Sequence, residues 1–148
     1  MNLKEQLNEA MKTAMKARNS LRLNAIRLIR TAIKNREIDE RRELDDQEVI
    51  GVLSTLVKQR KESALVYREG GRPELAEKEE QEQAIIQEFL PTQLDEEELR
   101  AIIESAVSET GAASMKDMGK VMKVVTGKTL GRADGRLVSE LVKARLSA

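Results

Sequence analysis

The 148-residue chain balances 26 Lys and Arg against 26 Asp and Glu, has no cysteine, histidine or tryptophan, and holds Tyr67 and Phe89 as its only aromatic residues. Those absences exclude disulfides, thiolate chemistry, iron–sulfur clusters and zinc held by cysteine or histidine, and they leave Asp, Glu, Lys, Ser, Thr or Tyr67 for any catalysis. No run of about 18 apolar residues is available to cross a membrane, and the amphipathic first residues carry Glu5 and Glu9, unlike a cleaved signal, so the expectation is a soluble cytoplasmic protein.

Leu, Ile, Val, Ala and Met supply nearly all the apolar content, which favours helices over sheets. Leu3, Leu7, Met11 and Ala14 recur at helical spacing and predict a first helix to about Ala17. Ser20 is the expected cap of a second helix through about Arg36, with Arg22, Ile26, Ile29 and Ile33 on one stripe and Leu23, Ala25 and Leu28 widening it into a mostly buried helix. Asp45 and Glu48 have the spacing of a capping box. The helix that follows, through Val49, Leu53, Leu56, Val57, Ala64 and Leu65, should stop at Gly70-Gly71. Pro73 suits the first turn of a fourth helix ending near Leu90 before Pro91. Its polar first half, "PELAEKEEQEQ", is expected to project into solvent, and "AIIQEFL" to pack.

"LPTQLDEEE" reads as a domain boundary, because Asp95 and Glu98 form a second capping box after a proline. Leu99, Ile102, Ile103, Ala106 and Val107 then define a helix stopped by Gly111. Ser114 is expected to cap the next helix, with Met115, Met118, Val121, Met122 and Val125 inward and Gly127 as the stop. Asp134 should cap the last, with Leu137, Val138, Leu141, Val142 and Leu146 inward. The predicted architecture is all-α: an N-terminal bundle of about four helices over residues 1–91, then a small three-helix C-terminal domain over residues 95–148.

Charge is distributed unevenly. Residues 1–36 carry nine bases against two acids, residues 73–99 one base against ten acids, and residues 116–148 eight bases against three acids. Two basic ends flanking an acidic middle suggest polyanion contact at the ends. In the C-terminal end these bases are Lys116, Lys120, Lys123, Lys128, Arg132, Arg136, Lys143 and Arg145. Spacings of four and three put Lys116, Lys120 and Lys123 on one helical face, which Lys128 and Arg132 extend around the turn. The alternative is an ordinary solvated face.

"TGKTLGRADG" invites the reading of a nucleotide-binding loop. That loop needs a glycine where Met122 stands and a buried strand before it, whereas "MKDMGKVMKVV" has helical spacing. The glycines are better read as helix stops and close-approach positions. Without an aromatic cluster, base stacking cannot lead nucleic-acid binding, which leaves phosphate contact and shape recognition of a structured RNA. A DNA helix-turn-helix would need a shorter joining segment. The acids Glu74, Glu77, Glu79, Glu80 and Glu82 are spread around their helix and suit solvent better than a metal. Ser139 and Lys143 lie one turn apart with no glycine-rich oxyanion segment, so no catalytic residue is assigned.

From Asp117 to Leu146, "DMGKVMKVVTGKTLGRADGRLVSELVKARL", the sequence resembles the YqeY-like family, related to the GatB tail domain of the aspartyl/glutamyl-tRNA amidotransferase. "RLIRTAIKNREID" and "FLPTQLDEEEL" extend the resemblance along essentially the whole chain. It implies a larger N-terminal helical domain, a small C-terminal one, and kinship with an appendage that holds tRNA while a separate catalytic body makes the amide. Carried over residue by residue, the implied contacts are Lys120, Lys123, Lys128, Arg132 and Arg136 for phosphate or ribose, with Gly119, Gly131 and Gly135 permitting close backbone approach. The catalytic cradle, ATP site and serine-rich glutaminase signature are missing. The expectation is therefore a non-catalytic tRNA-binding accessory without metal or cofactor, acting beside an amidotransferase or an aminoacyl-tRNA synthetase in glutamine-dependent carbon–nitrogen ligation. The rival expectation is a protein-interaction adapter, docking partners or a second copy through its acidic fourth helix.

Overall fold

In the computed structural model, which describes Met1–Ala148, aliphatic spacing and end signals produce seven α-helices and one 3-10 turn, with no strand. The chain divides into two compact units, Met1–Leu90 and Pro91–Ala148.

The first unit holds α1 (Leu3–Lys16), α2 (Ser20–Glu40), α3 (Asp46–Glu69) and α4 (Pro73–Gln87). Leu7 and Ala14 of α1, Ile26, Ile29 and Ile33 of α2, Val49, Val52 and Leu53 of α3, and Ile86 of α4 close around one core, joined by Leu44 from the α2–α3 connection. Truncating a fully buried aliphatic such as Ile26 or Leu53 to alanine typically costs about 2–5 kcal/mol, so this cluster anchors the unit.

Three expectations for α2 change. Its N-cap is Asn19, whose side chain accepts from the Arg22 N–H at 3.1 Å, and Ser20 is the first helical residue. The helix continues past Arg36 to Glu40, because nothing between them breaks a helix and Glu40 pairs with Arg36 one turn back; Arg41 then ends it in the left-handed region at φ 55°. Leu28 is 42% exposed, so the buried stripe is the narrower set Ala25, Ile26, Ile29 and Ile33.

The capping box of Asp45 and Glu48 starts α3 in full, and Gly71, at φ 73°, supplies the reversal into α4, where Pro73 sits in the first turn. The polar first half of α4 does not stand alone in solvent, because it packs along the second half of α3. Ala76 is fully buried there, Arg60 of α3 donates to Glu82 at 2.9 Å and lies 3.5 Å from Glu79, and Arg68 pairs with Glu80 at 2.6 Å. Leu65, one of the aliphatics that mark α3 in the sequence, is 56% exposed, because on this stretch ion pairs and two small residues, Ala64 and Ala76, take the place of an aliphatic seam.

The second unit holds α5 (Glu96–Thr110), a 3-10 turn (Met115–Asp117), α6 (Met118–Thr129) and α7 (Gly135–Ser147). Its separate core is Leu99, Ile103, Ala106 and Val107 of α5, Val121 and Val125 of α6, and Val138, Leu141, Val142 and Leu146 of α7. Asp95 and Glu98 form the second capping box, and Gly111, at φ 66°, ends α5. Ser114 caps the 3-10 turn rather than α6, and Met115 is exposed on it. Gly127 is not a stop: α6 runs through it to Thr129, whose buried hydroxyl donates to the Val125 carbonyl at 2.9 Å, and the left-handed residue is Gly131 at φ 73°. Asp134 caps α7 by accepting from the Arg136 N–H at 2.9 Å. Leu137, in the first turn of α7, is 38% exposed instead of inward.

Candidate nucleic-acid interface

Helix α6 carries no acidic residue between Met118 and Thr129. At 100° per residue, Val121, Val125 and Thr129 fall on its buried side, and Gly119, Lys120, Lys123 and Gly127 fall on the opposite, exposed side. A Cβ built on Gly119, Gly127 or Gly135 meets nothing within 4 Å. These glycines are therefore not required by packing inside the protein, contrary to their reading as internal close-approach positions. They leave two lysines flanked by bare helix backbone. Lys116 sits on the 3-10 turn, which breaks its register with Lys120 and Lys123.

The remaining assigned residues separate. Lys128 turns toward α5, with its Nζ 3.5 Å from a Glu109 carboxylate oxygen. Arg132 is tied to the segment before α5: its Nε donates to the Thr92 carbonyl at 3.2 Å, and its own carbonyl accepts from the Leu94 N–H at 2.7 Å. Gly131 is buried and its carbonyl accepts from Gln93 Nε2 at 2.7 Å, so its backbone faces the protein rather than a ligand. Arg136 and Gly135 are exposed at the start of α7, and Lys143 lies two turns further on the same face, with Glu140 between them. Arg145 pairs with Glu104 of α5. The structure thus brings Gly119, Lys120 and Lys123 together, leaves Arg136 and Gly135 on a second exposed helix, and gives Lys128, Arg132 and Gly131 structural partners.

Just before α6, the Asp117 carboxylate accepts from the Ala113 N–H at 2.9 Å and the Ser114 N–H at 3.3 Å. Those two bonds, reinforced by the charge of Lys120, hold its pKa below the ordinary aspartate value. Asp117 therefore stays ionised and fixes the approach to α6.

The first unit contains a second basic feature that the sequence reading left inside a general charge count. A groove of about 450 Å³ between α1 and α2 is lined by Lys4, Leu7, Asn8, Arg27, Arg30, Thr31, Ile33, Lys34 and Glu37. Its one carboxylate, Glu37, is engaged by Lys4 and by the Leu44 N–H at 2.8 Å, which together hold its pKa below the ordinary glutamate value. Spacings of three and four between Arg27, Arg30 and Lys34 were the one signal in the sequence, but only the fold shows that α1 closes the other wall.

Residues 4–146 match the family described as Yqey-like protein. Among curated proteins the chain is 33% identical over 120 residues to a protein of Vanderwaltozyma polyspora, covering 76% of this chain and 64% of the relative. It is 38% identical over 85 residues to one of Lachancea thermotolerans, covering 57% and 46%, and 39% identical over 98 residues to one of Clavispora lusitaniae, covering 64% and 57%. The chain thus spans between about half and two thirds of the length of these relatives. All three bear the name "Altered inheritance of mitochondria protein 41, mitochondrial". Those names overturn the cytoplasmic expectation. No helix is long and apolar enough to cross a membrane, and neither that nor the lack of cysteine reports a compartment. With the match running over nearly its full length, the chain belongs to the Yqey-like protein family.

Proposed function

We propose that this protein is a non-catalytic RNA-binding accessory module that grips tRNA through the exposed face of α6 and the start of α7, in the manner of the amidotransferase tail domain it resembles. The observation that carries the reading is the pairing of Lys120 and Lys123 with the exposed glycines Gly119 and Gly127 on a helix side without acids. A glycine inside a helix costs about 0.5–1 kcal/mol relative to alanine. Gly127 returns none of that through internal packing, whereas a phosphate backbone brought against α6 would use the space. Phosphate contact also suits a surface without aromatic side chains. The mitochondrial names of the relatives support a mitochondrial setting for this activity. An amidotransferase or an aminoacyl-tRNA synthetase is the partner of this reading, which leaves amide formation to that partner.

Mobility shift of the purified chain against total tRNA and a size-matched DNA duplex, at two salt concentrations, tests the reading. Salt-sensitive retardation of tRNA in preference to DNA is expected, with the double variant Lys120→Glu/Lys123→Glu losing it and lowering the salt slope by about two. Arg132→Glu is a poorer probe, because it also removes the bond to Thr92. Equal retardation of DNA, or tRNA binding unchanged in the double variant, would reject α6 as the RNA surface. The adapter reading is less favoured, since Glu79, Glu80 and Glu82 of α4 are engaged by Arg60 and Arg68 of α3 rather than presented to a partner.

A further inference from the structure

In the first unit, two of the five bases of α2 have acidic partners: Arg22 pairs with Glu88 and Arg36 with Glu40. Arg27, Arg30 and Lys34 differ. All three are exposed, none is salt-bridged, and spacings of three and four align them over about 10 Å of helix. Arg30 directs one guanidinium nitrogen to the Met11 sulfur at 2.9 Å, which holds the side chain against α1. Asn8 of α1 and Thr31 of α2 add neutral hydrogen-bonding groups to the same groove, and Leu7 and Ile33, both buried, form its floor. Glu37, the only acid in the lining, is neutralised by Lys4 and the Leu44 N–H and so does little to repel an incoming anion.

We infer that the α1–α2 groove is a binding site for a chain of adjacent phosphate groups, with Arg27, Arg30 and Lys34 as the charged contacts and Asn8 and Thr31 as hydrogen-bonding ones. A row of cations over two helical turns fits several linked phosphates better than a single carboxylate. Guanidinium groups bind phosphate oxygens in pairs, and the groove volume lies in the range of small-ligand sites, about 300–1,000 Å³. The inference stands independently of tRNA binding by α6, because it rests on different residues in the other unit.

Titration of the full chain with inorganic tripolyphosphate at constant ionic strength, followed by backbone amide shifts, tests it. Shifts concentrated at Asn8, Arg27, Thr31 and Lys34 are expected. Affinity should fall about tenfold or more in Arg27→Ala/Lys34→Ala and be retained in Lys120→Ala/Lys123→Ala. Both Arg27 and Lys34 are exposed, so the first variant should keep the wild-type circular dichroism and thermal midpoint. No binding by the wild type, unchanged binding by a folded Arg27→Ala/Lys34→Ala, or displacement by equimolar sulfate would each overturn the assignment. Once binding is established, displacement by a short unstructured RNA identifies a phosphodiester chain as the source. Displacement by a nucleoside triphosphate, with the RNA ineffective, identifies a free phosphorylated molecule.

Discussion

A methyl group placed on Gly127 meets no atom within 4 Å and falls on ordinary helical backbone, whereas one placed on Gly131, four residues later, must be held at φ 73°. The two substitutions should therefore act in opposite directions. Gly127→Ala removes backbone freedom from the unfolded chain and raises helix propensity, so it should stabilise the protein by about 0.5–1 kcal/mol. Gly131→Ala forces an L side chain into the left-handed region at a buried position, and should destabilise by about 1–2 kcal/mol. Urea midpoints at unchanged slope measure both. If Gly127 is kept open for RNA, the stabilised variant should also show weaker tRNA retardation, a combination that a purely structural glycine would not give. A Gly127→Ala chain that is less stable than wild type would mean that the methyl does meet something, and would remove the argument for an external ligand at that point.

At the scale of elements, the hairpin of α3 and α4 shows how burial decides the worth of an ion pair. Arg60 has 17% of its side chain exposed and faces Glu82 and Glu79 at 13% and 22%, whereas Arg68 and Glu80 are 49% and 45% exposed. Arg60→Ala strands two half-buried carboxylates near one another and should cost about 1–2 kcal/mol, less than a fully buried pair because solvent still reaches all three groups. Arg68→Ala should cost under about 0.5 kcal/mol. Equal costs in chemical denaturation would show that the hairpin is held by Ala64 and Ala76 rather than by charge. The same elements show which parts of the fold can be read in advance. The capping boxes at Asp45–Glu48 and Asp95–Glu98 are legible because donor and acceptor lie three residues apart in one turn. The extension of α2 to Glu40 is legible only in part: Arg36 and Glu40 lie one turn apart, but Glu37 is held from outside the helix, by Lys4 on α1 and the Leu44 N–H. The solvent reading of "PELAEKEEQEQ" missed its match with Arg60 and Arg68 for the same reason, as those arginines lie on another helix.

On the scale of the whole molecule, the separation of charge along the chain becomes a separation of roles within each unit. In the second unit Glu96, Glu97, Glu98, Glu104 and Glu109 lie on α5, and Lys120, Lys123 and Lys128 lie on α6. The basic face of α6 was legible from lysine spacing. The anchoring of Arg132 to Thr92 was not, because forty residues separate them and only the fold brings them together. The groove between α1 and α2 likewise exists only once the two helices pair. Each unit has its own set of buried aliphatics, and Leu99, Val121, Val125 and Val142 of the second are fully buried. A fragment of residues 91–148 should therefore fold to a helical, cooperatively melting species, although a domain of this size buries a small fraction of its surface and should be only a few kcal/mol stable. Circular dichroism and thermal melting of the fragment measure this. A helical fragment that retains salt-sensitive tRNA retardation would locate that binding in α6 and α7 alone. A fragment that melts without cooperativity would mean that the second core depends on the rest of the chain, and variants at Lys120 and Lys123 would then have to be interpreted in the full-length protein only.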